Sequence, residues 1–305
     1  MDFRKYSSVL ITGGRGFIGR ALVRELRRTE CRVISVDQAP APTTLESSAE
    51  EINLDITDAT QLGNTFASRE IEAIIHLAAM LPTAAQSDPE RATRVNVDGS
   101  LNLLEIARRF GVRRFILGSS LSVYGTCAAN RCVSEQDRPA PEDVYGAAKH
   151  YVEHIGEAYR SRDELEFVSL RIGRVVGPGA HSTSSAWRSQ IFEFLQAKSP
   201  AQIELPYAAS ERLLVVYVED AARALMRLLL SPRPVHSVYN APCEGVLVGE
   251  LKHQVERLNS NITVNLGSSP SKGNPQRLDT SRFQTEFAFH ALPLIERLKH
   301  AANTF

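Results

Sequence analysis

The 305 residues carry 35 Lys and Arg against 35 Asp and Glu, so the chain lacks the excess positive charge with which nucleic-acid-binding proteins attract phosphates. No stretch approaches the roughly 18 apolar residues that a membrane span requires, and the four cysteines, none in a CxxC pair, do not form a disulfide framework. We therefore expect a reduced, cytoplasmic protein of globular composition with neither a membrane nor a nucleic-acid partner.

Short apolar segments alternate with longer helical patterns over the first 175 residues. Strands that are apolar on both faces and separated by helices indicate a parallel sheet covered on both sides, in a doubly wound α/β fold. After residue 175 the pattern is less regular, with Gly and Pro predicting a surface loop at 265–277. The predicted strands are 8–12, 32–36, 73–77, 114–117 and 167–170, and the predicted helices are 16–28, 91–110, 143–160, 187–197 and 219–230.

A glycine-rich turn joins the first strand to the first helix, with Gly13, Gly16 and Gly19 spaced by three. Glycines allow the backbone to approach a pyrophosphate closely, and the N-terminus of the helix favours the anion. Asp37 directly follows the second strand, close to the spacing expected of an acid that binds a ribose diol. Because a carboxylate there repels a 2′-phosphate, the pattern predicts NAD rather than NADP, and Arg15 is the residue that could offset this preference.

Tyr145 and Lys149 are four residues apart in the helix predicted at 143–160, so their side chains share one face. A free tyrosine, with a pKa near 10, is a poor base at neutral pH. A nearby ammonium and the positive nicotinamide of an oxidised cofactor both favour the phenolate. The pair therefore predicts Tyr145 as a general acid or base, with Lys149 lowering its pKa.

A serine cluster follows the strand that ends at Leu117, at the carboxyl edge of the sheet where ligands bind. A serine such as Ser120 can orient or polarise a substrate hydroxyl or carbonyl there, although serines also cap turns for purely local reasons. The chain has no GxSxG pattern around these serines, which speaks against a hydrolase.

In chain order, these and further motifs resemble the extended short-chain dehydrogenase/reductases, the NAD-dependent epimerase/dehydratase family. The resemblance implies a Rossmann-type sheet with a small, partly helical C-terminal substrate lobe. We accordingly expect an NAD-binding domain at 1–175, with 214–235 packing back on it, and a substrate lobe at 176–305. The motifs are TGGRGFIG (12–19), Asp37, Asp55 and Ile56, HLAA (76–79), NVDGSLN (96–102), SSLSVYG (119–125), YGAAK (145–149), LRIGRVVGPG (170–179) and VYVED (216–220).

The resemblance also implies roles for single residues. Ser120 matches the catalytic Ser/Thr, Tyr145 the acid/base, and Lys149 the lysine that binds the nicotinamide ribose. Members of the family commonly dimerise through a four-helix bundle that includes the Tyr/Lys helix, so we expect a homodimer. The implied NAD contacts, besides Tyr145 and Lys149, are Gly13, Gly16, Phe17, Ile18, Gly19, Asp37, Asp55, Ile56, Leu77, Ala78, Ala79 and Asn96.

Two departures from the family pattern narrow the reaction. Sugar-nucleotide 4,6-dehydratases carry Asp-Glu after the catalytic residue, whereas here Ser120 is followed by Leu121 and Ser122, so we do not expect a dehydratase. Many nucleotide-sugar members have Asn where this chain has Arg174, which puts nucleotide-sugar contacts in doubt. The short lobe after residue 175 favours a small substrate.

Arginine dominates the cations, with 29 Arg and six Lys. Arg174 and Arg188 lie in or beside the predicted substrate half, together with Arg171 and Arg212, and guanidinium matches the geometry of carboxylate or phosphate. We predict Arg174 and Arg188 as substrate contacts, besides Ser120 and Tyr145. The histidines form no metal-ligand pattern, so we predict no metal.

The sequence therefore predicts an NAD-dependent oxidoreductase that transfers hydride between NAD and a secondary alcohol or ketone. Its substrate is expected to be small, hydroxylated and anionic, such as a sugar acid, a polyol or an amino acid. An alternative is an NAD-retaining sugar or nucleotide-sugar epimerase, similar to UDP-glucose 4-epimerase. A further alternative is a catalytically silent NAD-binding regulator.

Overall fold

The computed structural model describes residues 6–38, 49–163, 165–180 and 185–303. In chain order the strands are β1 Ser8–Thr12, β2 Arg32–Asp37, β3 Glu50–Asn53, β4 Ala73–His76, β5 Arg114–Ser120, β6 Cys132–Val133, β7 Glu166–Ile172, β8 Arg174–Val176, β9 Ala201–Tyr207, β10 Arg212–Tyr217, β11 Val238–Asn240, β12 Glu244–Leu247, β13 Ile262–Ser269 and β14 Arg277–Leu278. The α-helices are α1 Phe17–Leu26, α2 Ala59–Ala67, α3 Pro82–Ser87, α4 Pro89–Thr93, α5 Gly99–Arg109, α6 Val144–Arg162, α7 Trp187–Glu193, α8 Val218–Leu230, α9 Val248–Leu258, α10 Ser281–Phe287 and α11 Leu294–Asn303.

The central sheet has seven strands in the order β11-β7-β5-β4-β1-β2-β3, and every neighbouring pair in it is parallel. The strand order reverses at β1, so the loops that leave β1 and β4 diverge and open a crevice at the carboxyl edge of the sheet. The predicted doubly wound, Rossmann-type fold is confirmed. The sequence patterns did not indicate the two edge strands, because β3 is mostly polar and only partly buried and β11 has only three residues.

Helices cover both faces of the central sheet. On one face, α1 and α8 share a buried core to which Leu22 and Leu225 belong. On the other face, α2, α5 and α6 contribute to a second core with Leu62, Leu104 and Val152. Helix α8 therefore lies against the sheet, while the division of the chain at residue 175 and the packing of 214–235 on the first domain stay predictions.

The helix predicted at 91–110 has an irregularity in its middle. It consists of α4, a π-helical turn over Arg94–Asp98, and α5. Asn96 in the π turn is 2% exposed. Such turns inside α-helices often occur at functional sites.

The remaining elements form a smaller assembly with its own buried core, in which Trp187, Ile203, Val248 and Leu298 take part. It contains the sheet β12-β10-β8 and the pair β13-β9. The prediction of a loop at 265–277 is wrong for its first part, because β13 runs to Ser269 and pairs with β9. Among the described residues, no helix combines the length and apolar character needed to cross a membrane.

Candidate active site

The glycine turn between β1 and α1 lies where only glycine fits. Gly13 has φ +68°, and a Cβ there would lie 2.7 Å from the backbone nitrogen of Ala78. Gly16 caps α1 without a side-chain hydrogen bond, so the first N–H groups of the helix have no capping side chain and are suited to an anion. A Cβ on Gly19 would collide with the carbonyl oxygen of Gly13.

Asp37 ends β2 and lines the same cleft as the glycine turn. Its carboxylate accepts a hydrogen bond from the backbone N–H of Arg15 at 3.1 Å. This hydrogen bond holds the end of β2 and the glycine turn together. The Asp37 carboxylate lies at the end of β2, where the sequence predicts that it binds a ribose.

Asp55 and Ile56, two neighbouring residues predicted to contact NAD, lie in different environments. Ile56 lines the cleft and packs against Gly99. The Asp55 carboxylate accepts hydrogen bonds from the backbone N–H and the hydroxyl of Thr57, each at 2.8 Å. Asp55 is not among the described cleft-lining residues, and these bonds give it a role in shaping the turn before α2.

Residues after β4 form one wall of the cleft, to which Leu77, Ala78 and Ala79 all contribute. Asn96 does not belong to the described lining. Its Oδ1 accepts the backbone N–H of Met80 at 2.7 Å, and its Nδ2 donates to the Met80 carbonyl at 3.0 Å. Asn96 therefore holds this wall in place from behind.

Ser120, Tyr145 and Lys149 meet in the cleft. Ser120 ends β5, and its hydroxyl accepts the backbone N–H of Ser122 at 3.1 Å. Asp143 caps α6 by accepting the N–H of Gly146 at 2.6 Å, which begins the helix immediately before Tyr145. The Lys149 ammonium lies 5.7 Å from the centre of the Tyr145 ring.

The tyrosine is neutral in the protein chain itself. Burial and the charge of Asp143 raise the pKa of Tyr145 to about 12, against the opposing hydrogen bond with Ser120. Burial lowers the pKa of Lys149 to about 8, which the charge of Glu153 opposes. The lowering of the Tyr145 pKa that the sequence predicts from Lys149 together with the positive nicotinamide of a bound cofactor stays a prediction.

Glu153 is a buried acid that the sequence reasoning missed. Although its burial alone would raise its pKa, the neighbouring His150, 3.9 Å away, and the hydrogen bonds and charge of Arg171 lower the pKa of Glu153 to about 2. It also accepts the hydroxyl of Ser119 at 2.6 Å. Its position in the sequence, one helical turn beyond Lys149, was the signal that could have identified Glu153 as part of the site.

The four arginines of the predicted substrate half have different surroundings. Arg171 binds Glu153, and Arg212 donates to the carbonyl of Gly245 at 2.7 Å, so both are engaged in the framework. Arg174 and Arg188 line the cleft. Arg174 donates to the Ser271 hydroxyl at 3.0 Å.

Arg188 is half-buried, and its buried Nε has no hydrogen-bond partner within the described residues. Burial and the charge of Arg174 lower the pKa of Arg188. In the described part of the chain, neither guanidinium forms an ion pair. Two cations that line one cleft and form no ion pair with a described residue favour an anionic ligand.

Segment 270–276, the part of the predicted surface loop that is not strand, borders the cleft on the side of the smaller assembly. Lys272 and Asn274 line the cleft. The segment is held by the N–H of Ser271, which donates to Glu211 at 2.8 Å, and by the N–H of Gly273, which donates to the Thr126 hydroxyl at 2.8 Å. Ser185 also lines the cleft.

The residues described above as lining the cleft share one cavity of about 730 Å³. It joins the glycine turn and Asp37 at one end to Ser120, Tyr145 and Lys149, and to Arg174 and Arg188. The residues fit a dinucleotide along the sheet edge, with a proton-transfer group and an anion site beside it.

Comparison with known proteins agrees with this arrangement. The sequence model described as the NAD dependent epimerase/dehydratase family matches residues 9–241. L-threonine 3-dehydrogenase, mitochondrial, of Bos taurus is 28% identical over 255 residues, which are 81% of this chain and 67% of that protein.

Two solved structures are similar over almost the whole chain. MoeE5 in complex with UDP-glucuronic acid and NAD is 30% identical, with a TM-score of 0.81 and coverage of 95% of this chain and 96% of that one. L-threonine 3-dehydrogenase from Trypanosoma brucei is 21% identical, with a TM-score of 0.86 and coverage of 96% and 95%. The resemblance inferred from the motifs is confirmed, and the chain belongs to the NAD-dependent epimerase/dehydratase family.

Proposed function

We propose that this protein interconverts a secondary alcohol and a ketone in a small, hydroxylated, anionic substrate, with NAD as its cofactor. The observation that carries the proposal is the position of Arg174 and Arg188, which line the same cleft as Ser120 and Tyr145 and have no ion-pair partner among the described residues. A carboxylate held there lies within the same cleft as the proton-transfer residues.

The protein's own groups handle the proton and the substrate oxygen. Bound NAD supplies the acceptor or donor of the hydride. In ketone reduction, neutral Tyr145 donates its phenolic proton to the developing alkoxide, which matches its raised pKa. In alcohol oxidation the proton moves the other way, onto the phenolate, while the C–H bond breaks with loss of hydride.

Ser120 and Lys149 support this transfer. The Ser120 hydroxyl lies beside Tyr145 and orients the reacting oxygen by hydrogen bonding. Lys149 has a pKa of about 8, so it carries its charge at neutral pH and favours the phenolate when Tyr145 loses its proton. Leu121, fully buried in the core, places no acid next to Ser120, so the arrangement does not favour dehydration.

The substrate class draws support from one relative. The bovine protein is named for threonine, which carries both a secondary hydroxyl and a carboxylate, the two groups for which this cleft is suited. Sugar acids combine the same two groups. Polyols lack the anion and are a poorer match to Arg174 and Arg188.

An NAD-retaining sugar or nucleotide-sugar epimerase is the second candidate. It draws support from the structure of MoeE5 with UDP-glucuronic acid and NAD, which is 30% identical to this chain. The same Tyr145 and Ser120 would serve both half-reactions, and a diphosphate would also neutralise the two arginines.

The experiment that separates these candidates measures net NADH formation by the purified protein with NAD and a panel of hydroxy acids, amino acids and polyols. We expect NADH with an anionic substrate and none when Tyr145 is replaced by Phe. No NADH with any substrate, together with inversion of a UDP-sugar by protein that retains NAD, would establish the epimerase instead. NAD binding without either activity would favour a regulator.

We also propose that the protein forms a homodimer through α6. Tyr151 on this helix is 49% exposed, which is high for a large ring on a helix that otherwise packs on the sheet. Sedimentation of the wild type and of Tyr151→Glu tests the proposal, because a dimer through α6 should dissociate when a charge replaces that ring. A monomeric wild type would refute it.

A further inference from the structure

A second carboxylate lies next to the nucleotide end of the cleft. Glu51 of β3 forms an ion pair with Arg15, with 2.9 Å between Glu51 Oε2 and Arg15 Nε, and these side chains are 21% and 7% exposed. The same Oε2 accepts the hydroxyl of Ser35 on the neighbouring strand at 2.9 Å. Glu51 is thus oriented by two donors, and Arg15 is drawn toward β3.

The paired guanidinium lies close to Asp37. The Arg15 backbone N–H donates to the Asp37 carboxylate at 3.1 Å, and its Nη1 donates to the Asp37 carbonyl at 3.4 Å. Arg15 therefore lies between the main chain of Asp37 and the carboxylate of Glu51. This is the corner at which Asp37 is proposed to bind the adenosine ribose.

The local charge balance decides what this corner accepts. A phosphate monoester such as the 2′-phosphate of NADP carries between one and a half and two negative charges at neutral pH. Arg15 alone would attract it, because guanidinium binds phosphate well. With Asp37 and Glu51 beside it, the Arg15 guanidinium faces two carboxylates among the described residues, and its Nε already donates to Glu51.

We propose that Glu51 is a residue that determines cofactor specificity, excluding NADP by holding and neutralising Arg15. Asp37 contributes the hydroxyl contacts and part of the repulsion. Glu51 prevents the arginine in the glycine turn from cancelling that repulsion. The proposal rests on the placement of the ribose at Asp37 and does not depend on which substrate is oxidised.

The test compares the binding of NAD⁺ and NADP⁺ by calorimetry, at one ionic strength, for the wild type and Glu51→Gln. Glutamine keeps the side-chain size and an oxygen for the Ser35 hydroxyl but removes the charge. We expect NADP⁺ to bind roughly tenfold more tightly to Glu51→Gln, with NAD⁺ affinity changed less than about twofold. Replacing Arg15 by Gln in the Glu51→Gln background should abolish the gain.

Glu50 provides a matched control on the same strand. Successive side chains of a strand point to opposite faces, and Glu50 binds Arg32 and Arg69, each at 2.6 Å. Glu50→Gln removes the same charge and should leave the ratio of NADP⁺ to NAD⁺ affinity unchanged. An equal gain in Glu50→Gln would show a general charge effect and overturn the role of Glu51.

The remaining outcomes separate this proposal from the proposed function. A folded Glu51→Gln that binds NAD⁺ and shows an unchanged affinity ratio would overturn the role of Glu51 alone. A wild type that binds neither dinucleotide would overturn the proposed function, and the role of Glu51 with it. Thermal unfolding of each variant establishes that it is folded.

Discussion

The carboxylate of Glu153 binds the guanidinium of Arg171 at 2.6 Å, with side chains only 4% and 5% exposed. The pair joins α6, which carries Tyr145 and Lys149, to β7. Glu153 also accepts the hydroxyl of Ser119, the neighbour of Ser120. The buried ion pair thus fixes the helix with the acid/base against β7, and the hydrogen bond from Ser119 fixes it against β5, which ends in the predicted catalytic serine.

Neutralising Glu153 should destabilise the protein strongly. Glu153→Gln leaves the Arg171 charge buried without its counter-ion, a change that typically costs about 3–5 kcal/mol. Urea denaturation at pH 7 measures this loss. Glu157→Gln, an exposed position on the same helix, is the matched control and should change the free energy of unfolding by less than about 0.5 kcal/mol.

The pH dependence of stability should reveal the same pair. Because the pKa of Glu153 is about 2 in the folded protein and 4.5 is its ordinary value, its stabilisation is complete above pH 4.5 and is lost as the pH falls toward 2. At one unit of pKa per 1.36 kcal/mol, the contribution reaches about 3 kcal/mol. The stability difference between wild type and Glu153→Gln should therefore shrink between pH 4.5 and the acid transition. A constant difference would contradict the lowered pKa.

Removing the phenolic hydroxyl should separate proton transfer from cofactor binding. Tyr145→Phe lacks the proton donor and acceptor, so we expect turnover to fall by at least about a hundredfold. The NAD⁺ dissociation constant, measured by calorimetry, should change less than about threefold, since the ring remains. Substantial residual turnover would exclude Tyr145 as the acid/base.

The anion site should respond to the loss of Arg188. Arg188→Gln removes a charged hydrogen-bond donor worth about 1.5–3 kcal/mol, so kcat/KM for an anionic substrate should fall roughly ten- to 150-fold. NAD⁺ affinity should be unaffected.

Arg233, which is exposed, supplies the control, since Arg233→Gln removes the same charge far from the cleft. Equal losses in both variants would show that Arg188 acts only through the net charge of the protein.

The glycine turn should not tolerate a side chain at residue 13. Gly13→Ala combines φ +68° with a Cβ 2.7 Å from the Ala78 nitrogen. The left-handed conformation alone costs about 1–2 kcal/mol for a residue with Cβ. We expect lower thermal stability and at least roughly tenfold weaker NAD⁺ binding, by the conversion of about 1.4 kcal/mol per decade.

Gly63 in α2 is the matched control, because nothing lies within 4 Å of a Cβ there. Gly63→Ala should stabilise the helix by up to about 1 kcal/mol. Its NAD⁺ affinity should equal that of the wild type.

Local sequence patterns predicted the features that depend on near neighbours in the chain. Alternating apolar strands and helices specify a parallel sheet, since both of its faces must be covered. The glycine turn depends on backbone conformation, and Tyr145 and Lys149 share a face because of helical geometry. The short strand β11 was missed because its three residues pair with a distant strand and carry little pattern of their own.

The sequence by itself determined the fold class and the family. It also determined which turn lines the cleft and which helix contributes side chains to it. Only the tertiary structure decided which charges are free to act there. Arg171 and Arg174 are close in the chain, yet Arg171 is bound by Glu153 while Arg174 lines the cleft. Arg15 is likewise held by Glu51 from another strand. Such ion pairs join residues far apart in the chain, so they follow from the packing of the elements and not from local spacing.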